Sequence, residues 1–146
     1  MIIRTSWLYS FFGNNFVKTI WAKAQEKDIL KVVFDQTGSP TCAADLAEAI
    51  MGIIAGVIRN RIAFTAGIYN YSNEGVCSWY DLAEATVNEA GIQCKILPIL
   101  SKDYPTVAQR PFYSVLDKSK IKETFNLEIP HWRSSLRRCI KLLNDQ

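Results

Sequence analysis

The chain has 146 residues, of which 49% are hydrophobic and 21% are charged. These proportions are ordinary for a globular protein, and the length favours one domain with its own core. The net charge of +3 is too small to indicate a nucleic-acid-binding protein. No apolar run approaches the roughly 18 residues of a membrane span, and the first residues do not form a signal peptide. We therefore expect a cytoplasmic protein that binds neither nucleic acid nor membrane.

The cysteines do not form a metal-binding pattern. Cys42, Cys77, Cys94 and Cys139 are far apart, and His131 is the only histidine. A zinc site normally needs ligands paired at short spacing. The sequence therefore predicts no metal site and reduced, mostly buried thiols.

The first half of the chain alternates strands with helices. Apolar residues at helical or alternating spacing, with turn residues between them, define each segment. The pattern predicts a strand over Ile2–Tyr9, a helix over Asn14–Ala24, a strand over Ile29–Phe34, a turn-rich loop over Asp35–Pro40, and a helix over Ala43–Ala55 with Thr41 as a candidate N-cap.

The second half continues the alternation. Ser78 and Asp81 have the spacing of a capping box, and Gly91 is a candidate helix terminator. The segments predicted here are a strand over Gly67–Ser72, a helix from Ser78 to Gly91, a strand over Lys95–Leu100, a polar loop over Ser101–Pro111, a short helix capped by Asp117 and ending near Phe125, and a last helix after Pro130. Strands alternating with helices indicate an α/β or α+β domain.

Several side chains are expected to be structural. Trp21, Trp79 and Trp132 fall on apolar helix faces and are predicted to lie in the core. The basic stripe on the last helix is interpreted as a solvated face; it consists of Arg133, Arg137 and Lys141.

The motifs of a complete nucleotide-dependent reductase are absent from these 146 residues. A dinucleotide-binding loop needs closely spaced glycines so that its backbone can approach the pyrophosphate. The seven glycines form no such motif, and no tyrosine is followed by a lysine four residues later. Composition and spacing alone thus indicate an α/β domain without a recognisable catalytic centre.

A family resemblance adds to this picture. The segments that carry it are Arg4-Thr5-Ser6-Trp7, Gly13-Asn14-Asn15-Phe16, Asp35-Gln36-Thr37-Gly38-Ser39-Pro40-Thr41, Asp45-Leu46-Ala47, Gly67-Ile68-Tyr69, Ser78-Trp79-Tyr80, Arg110-Pro111 and Ser114-Val115-Leu116-Asp117. In order and spacing they resemble the dTDP-4-dehydrorhamnose reductase family of extended short-chain reductases, and the resemblance covers nearly the whole chain.

The resemblance implies the fold of a C-terminal part. It places residue 1 just after the family's catalytic Tyr-x-x-x-Lys, so residues 1–146 would be the substrate-binding portion of a Rossmann-like enzyme and residues 1–28 would complete the edge of its sheet. The N-terminal cofactor-binding half would be missing. Such an enzyme reduces the C4 ketone of dTDP-4-dehydro-L-rhamnose with NADPH or NADH. This chain alone is expected neither to catalyse the reaction nor to bind the cofactor well.

The resemblance also suggests site residues. Trp7, Asn14, Asn15 and Arg110 are expected at the dTDP-sugar, with Ser6 and Trp7 next to the cofactor. An indole can stack on a sugar and a guanidinium can bind a pyrophosphate. Trp7 could equally be a core residue, the asparagines a turn and cap, and Arg110 part of a surface ion pair.

Two further interpretations remain open at this point. The chain could be a non-catalytic binding or regulatory module, as in the regulatory subunit of methionine adenosyltransferase, which resembles the same family. It could also belong to a related reductase that acts on another sugar. Its partners would be the missing N-terminal half or a second copy in a homodimer, because a cut sheet exposes an edge and apolar surface.

Overall fold

A computed structural model describes residues 1–104, 108 and 110–145. The elements in chain order are β1 (Ile2–Arg4), β2 (Leu8–Tyr9), α1 (Phe16–Glu26), β3 (Ile29–Val33), β4 (Thr37–Gly38), β5 (Thr41–Cys42), α2 (Ala43–Ile58), β6 (Ile68–Asn70), β7 (Cys77–Ser78), α3 (Trp79–Ala90), β8 (Lys95–Ile99), a short 3₁₀ turn (Ser101–Asp103), α4 (Ser119–Phe125) and α5 (Trp132–Asn144).

The described strands pair two by two. Three pairs are parallel: β1 with β6, β2 with β5, and β3 with β8. The fourth pair, β4 with β7, is antiparallel. The longest parallel pair runs in register from Ile29 opposite Lys95 to Val33 opposite Ile99. This mixed α/β arrangement confirms the predicted fold class.

The predicted single strand over Ile2–Tyr9 is wrong. The segment divides into β1 and β2, which pair with different partners. The chain turns between them at Trp7, whose φ is +48°, a left-handed conformation that large side chains rarely adopt. The Trp7 carbonyl accepts a hydrogen bond from the Thr41 N–H at 3.1 Å, which fixes the turn against β5.

The helix boundaries follow local capping chemistry. Asn15 is the N-cap of α1, and its Oδ1 accepts the Lys18 N–H at 3.1 Å. The capping box of α3 is confirmed: Asp81 N–H donates to Ser78 Oγ at 3.0 Å, and Ser78 N–H donates to Asp81 Oδ2 at 2.8 Å. Gly91 ends that helix at φ +68°, where glycine is free of steric cost.

Two predicted caps are displaced by one residue. Thr41 does not cap α2, because Cys42 occupies the N-cap position without a side-chain cap bond; the Thr41 hydroxyl instead donates to the Ser6 carbonyl at 2.7 Å. Lys118 occupies the N-cap of α4, but the Asp117 carboxylate still accepts the Ser119 N–H at 2.9 Å. The Thr41 prediction failed because a distant partner, the Ser6 carbonyl, binds the hydroxyl that the local pattern assigned to the helix cap.

The four cysteines are free thiols. Cys42, Cys77 and Cys139 are buried and Cys94 is half-buried. Burial raises the pKa of the Cys77 and Cys139 thiols to about 12, because an apolar environment disfavours the thiolate. These thiols are therefore protonated at neutral pH and pack as small apolar groups.

Three apolar clusters make up the core. The first lies between α1, α3 and α5, and contains Trp132. The second lies between α1, α3 and the β3/β8 pair. The third joins α2 and α4 to β6, with Tyr69 at its centre. Trp132 is thus a core residue, as predicted, whereas Trp21 and Trp79 are only half-buried.

A buried polar network connects the elements between these clusters. Asn73 and Ser135 are fully buried and Asp45 is nearly so. The Asn73 amide nitrogen donates to Asp45 Oδ2 at 2.5 Å and to the Pro130 carbonyl at 3.1 Å, while its oxygen accepts the Cys42 N–H at 2.7 Å. Ser135 and Arg138 also donate to the Asp45 carboxylate. The network ties the start of α2, the β6–β7 connection and α5 together.

None of the helices within residues 1–104, 108 and 110–145 combines the length and apolar character that crossing a bilayer requires.

Asn73→Ala should lower the free energy of unfolding by about 3 kcal/mol, because it leaves the Asp45 carboxylate and the Cys42 N–H buried with fewer partners. Urea denaturation measures the change. Asn70→Ala is the matched control: its amide makes one exposed bond, to the Asp117 carbonyl at 3.0 Å, so the expected loss is about 0.5–1 kcal/mol. Equal losses in the two variants would contradict a central role for the network.

Candidate ligand-binding site

Two stacked tryptophans mark the candidate site. The Trp7 and Trp79 ring centroids are 3.6 Å apart and their planes differ by 9°. Phe16 packs on Trp79, and their ring centroids are 4.6 Å apart. Both tryptophans are half-buried, so the stack has accessible surface. It forms an aromatic wall between the β1–β2 turn and the start of α3.

Strand pairing explains how the two indoles meet. Trp79 is the first residue of α3 and directly follows β7, which pairs with β4. Gly38 in β4 lies against Trp7: a Cβ added there would be 2.6 Å from Trp7 Cε2 and 2.8 Å from Ser114 Oγ. These distances are shorter than any normal contact, so the position requires glycine. Trp7 is thus held between Gly38 and Trp79.

A cavity of about 320 Å³ opens beside this stack. Arg110 is exposed at its edge, and the Ser6 hydroxyl donates to the Ser39 carbonyl at 3.2 Å. The cavity is lined by Ser6, Trp7, Gln36, Trp79, Arg110, Pro111 and Ser114.

A second cavity of about 550 Å³ adjoins the first between α1 and β3. Gln36, Trp79 and Arg110 line both cavities, so the two share a boundary at these side chains. Its apolar surface comes chiefly from α1 and β3. Four of its lining residues are cationic, and no acidic residue belongs to the described lining; the cations are Lys23, Lys27, Lys31 and Arg110. An elongated anionic ligand with a flat apolar part would suit this pair of cavities.

The structure brings together three of the five predicted site residues. Ser6, Trp7 and Arg110 line the smaller cavity. Asn15 is the cap of α1, with its amide nitrogen donating to the Ser10 carbonyl at 2.6 Å, and Asn14 is exposed. Neither asparagine belongs to the lining of the two cavities. Their role in ligand binding remains a prediction.

Of the three residues that line both cavities, Trp79 and Gln36 were not among the predicted site residues. Trp79 fits the apolar face of its helix and was therefore assigned to the core, yet it lines both cavities. Gln36 lies in the predicted turn-rich loop over Asp35–Pro40 and was not assigned to the site. The signal that could have singled out Trp79 is its place at the first turn of α3, where a side chain projects beyond the packed body of the helix.

Among residues 1–104, 108 and 110–145, no group of three or more His, Cys, Asp or Glu is arranged to hold a metal ion. Burial raises the pKa of Tyr9 and Tyr71 well above the ordinary value, so neither phenol is adjusted to donate a proton at neutral pH.

Comparisons with known proteins show which family the chain resembles. The family model described as the RmlD substrate binding domain matches residues 1–144. The spore coat polysaccharide biosynthesis protein SpsK of Bacillus subtilis is 43% identical over 93% of this chain and 45% of its own length. The dTDP-4-dehydrorhamnose reductase of Aggregatibacter actinomycetemcomitans is 40% identical over 94% of this chain and 48% of its own length.

A solved structure of dTDP-4-dehydrorhamnose reductase from Bacillus anthracis, described as a complex with NADP, superposes with a TM-score of 0.85. It is 35% identical to this chain and is matched over 97% of this chain and 47% of its own. The chain thus spans about half the length of the relatives it matches.

The fold defines a domain of the extended short-chain reductase class. Within that class, the chain belongs to the RmlD substrate-binding domain family. The resemblance inferred from the sequence is therefore confirmed.

Gly38→Ala should tilt or displace Trp7, because the new methyl group would overlap the indole. We expect the circular dichroism of the coupled Trp7–Trp79 pair to weaken and the unfolding free energy to fall by about 1–3 kcal/mol. Gly52→Ala is the matched control, since nothing lies within 4 Å of an added Cβ there and alanine favours a helix by about 0.5–1 kcal/mol. An unchanged spectrum in Gly38→Ala would show that glycine is not needed to seat the indole.

Proposed function

We propose that this chain is the sugar-nucleotide-binding part of a dTDP-4-dehydrorhamnose reductase. The full enzyme would transfer hydride from NADPH or NADH to the C4 ketone of dTDP-4-dehydro-L-rhamnose. The observation that carries the proposal is Arg110, which lies where an aromatic cavity joins a larger cationic one. A nucleotide sugar has the matching order: a sugar, a diphosphate and a nucleoside.

The chemistry of each part supports one placement of the ligand. Arg110 is a permanent cation suited to two parallel hydrogen bonds to phosphate oxygens. The Trp7 indole lines the smaller cavity, where it can make apolar contact with the sugar. The nucleoside then lies in the larger cavity, where Lys23, Lys27 and Lys31 add positive potential. Ser6 and Trp7 would face the cofactor at the sugar end.

A cofactor-binding portion would complete the enzyme. Among the described residues, β1 pairs only with β6, so its other edge offers unpaired backbone groups. Ile2 and Ile68 are opposite each other in that pair and are 60% and 46% exposed. Ile58 on α2 is 74% exposed. Such surfaces invite a partner, either the cofactor-binding portion or a second copy in a homodimer. We expect no nucleic-acid partner, and a cytoplasmic location.

A non-catalytic binding module with the same site is the second candidate. The 146 residues contain neither a glycine-rich dinucleotide motif nor a Tyr-x-x-x-Lys, as expected both for such a module and for part of a longer enzyme. The two candidates share a ligand and differ in turnover.

Arg110→Ala should weaken dTDP binding by about 10- to 100-fold, because charge-assisted hydrogen bonds are worth roughly 1.5–3 kcal/mol. The loss should shrink at high salt, where screening already weakens the wild-type contact. Trp7→Ala should cost more affinity for dTDP-glucose than for dTDP. Titration calorimetry compares these variants with Arg61→Ala, an exposed arginine outside both cavities. Equal affinity in all four proteins would show that the ligand binds elsewhere.

The chain alone should not oxidise NADPH or NADH with dTDP-4-dehydrorhamnose, because it carries no cofactor loop or Tyr/Lys pair. Fusion to the half of the Aggregatibacter reductase that this chain does not match should give turnover, measured as loss of absorbance at the nicotinamide band. Turnover by the chain alone would contradict the first expectation. A fusion that binds dTDP-sugar without turnover would favour the non-catalytic module.

A further inference from the structure

Gln36 lies at the junction of the two cavities and is held by a short hydrogen-bond relay. Its side chain is only 8% exposed, yet it lines both cavities. The Gln36 amide nitrogen donates to Ser101 Oγ at 2.8 Å. Ser101 Oγ in turn donates to Asp35 Oδ1 at 2.6 Å, and the Ser101 N–H donates to the same carboxylate at 2.9 and 3.1 Å.

The donors and acceptors available at Asp35 and Ser101 determine the orientation of the Gln36 amide. An ionised carboxylate only accepts hydrogen bonds, and a serine hydroxyl has a single proton to donate. The Ser101 proton goes to Asp35, so Ser101 can only accept from Gln36. Gln36 must therefore present its NH₂ group to Ser101, which turns its carbonyl oxygen away. The hydrogen bond from Ser101 also lowers the pKa of Asp35, so the carboxylate is charged and the relay is set at neutral pH.

The Gln36 oxygen has acceptor capacity that no described residue uses. Within residues 1–104, 108 and 110–145, no hydrogen bond to this oxygen occurs, whereas the nitrogen is engaged. The described side-chain atoms that are both sealed from solvent and without a partner are Tyr9 OH and Ser72 Oγ. The Gln36 oxygen is not one of them, so it is not sealed from solvent, and the residue that carries it lines both cavities. It is an oriented acceptor beside the cationic groups of the site.

We propose that Gln36 determines ligand specificity by accepting a hydrogen bond from a hydroxyl group next to the diphosphate of a bound nucleotide sugar, and that Asp35 and Ser101 position it. This inference rests on the proposed function. Gln36 shares the junction with Arg110, which would hold the diphosphate. The hydroxyl donors nearest a diphosphate in such a ligand are the deoxyribose 3′-hydroxyl and the hexose C2 hydroxyl.

The test exchanges each hydroxyl for fluorine, which keeps the size and removes the donor. Titration calorimetry compares dTDP with its 3′-fluoro-3′-deoxy analogue, and dTDP-glucose with its 2-deoxy-2-fluoro analogue. Wild type should prefer the hydroxyl by about 3- to 10-fold in one of the two pairs, the usual range for a neutral hydrogen bond. The pair that shows the preference identifies the hydroxyl.

Gln36→Met should abolish this preference, because methionine keeps the length of the side chain without the acceptor. Gln93→Met is the matched control, since Gln93 is exposed and lines neither cavity; it should keep the wild-type preference. Equal preference in wild type and Gln36→Met would overturn the inference. A second outcome would also overturn it: wild type discriminates against N3-methyl-dTDP in a way that depends on Gln36, but shows no preference between hydroxyl and fluorine. Gln36 would then contact the thymine.

Asp35→Asn tests the positioning role. An asparagine can donate to Ser101 Oγ, which frees the Ser101 proton for the Gln36 oxygen and reverses the amide. The preference for hydroxyl over fluorine should then fall at least threefold, with little change in the thermal unfolding midpoint; Ser101→Ala should act in the same direction. If either variant keeps the wild-type preference for hydroxyl over fluorine, Asp35 and Ser101 do not position Gln36, even if the variant is less stable.

The proposed function and this inference fail in different ways. Binding of dTDP by wild type with no hydroxyl preference removes the inference and leaves the function standing. Absence of dTDP binding by wild type, folded by circular dichroism, counts against the proposed function and overturns the inference that rests on it.

Discussion

The carboxylate of Asp45 is the buried charge around which the chain is organised. A charge removed from water must be compensated by several donors, or burial costs several kcal/mol. Here the donors come from distant parts of the sequence: Asn73 between β6 and β7, and Ser135 and Arg138 on α5. Because Asn73 also accepts the Cys42 N–H, satisfying one carboxylate fixes the start of α2, the β6–β7 connection and the last helix at once.

The candidate site is a consequence of that arrangement. The Asn73 N–H donates to the Pro40 carbonyl at 3.1 Å, which anchors the end of the loop that contains Gln36 and Gly38. The same loop supplies β4, whose pairing with β7 brings Trp79 to Trp7. The smaller cavity therefore depends on short strands and turns held from behind by a polar core, whereas α1 contributes apolar side chains and Lys23 to the larger cavity.

Local signals in the sequence were reliable where the chemistry is local. The capping box of Ser78 and Asp81 and the terminating Gly91 follow from neighbouring residues. The failures have a common cause, which is competition from distant partners. Nothing local shows that Trp7 adopts a positive φ, because its turn depends on pairing with Thr41. Thr41 fits a cap, but its hydroxyl bonds Ser6. Family resemblance suggested Arg110 and Trp7, which line the smaller cavity, whereas Gln36 required the hydrogen-bond directions that only the structure provides.

The parallel strand pairs have a consequence for how the chain acquires its structure. Ile2 pairs with Ile68, and Ile29 pairs with Lys95, so each pair closes a long loop before it gains any contact. Loop closure of this kind slows folding relative to helical bundles, whose contacts are local. During synthesis, β1 and β3 are made well before β6 and β8, the strands with which they pair. In that interval their apolar residues are exposed, and they are a natural target for chaperones that hold unfinished chains.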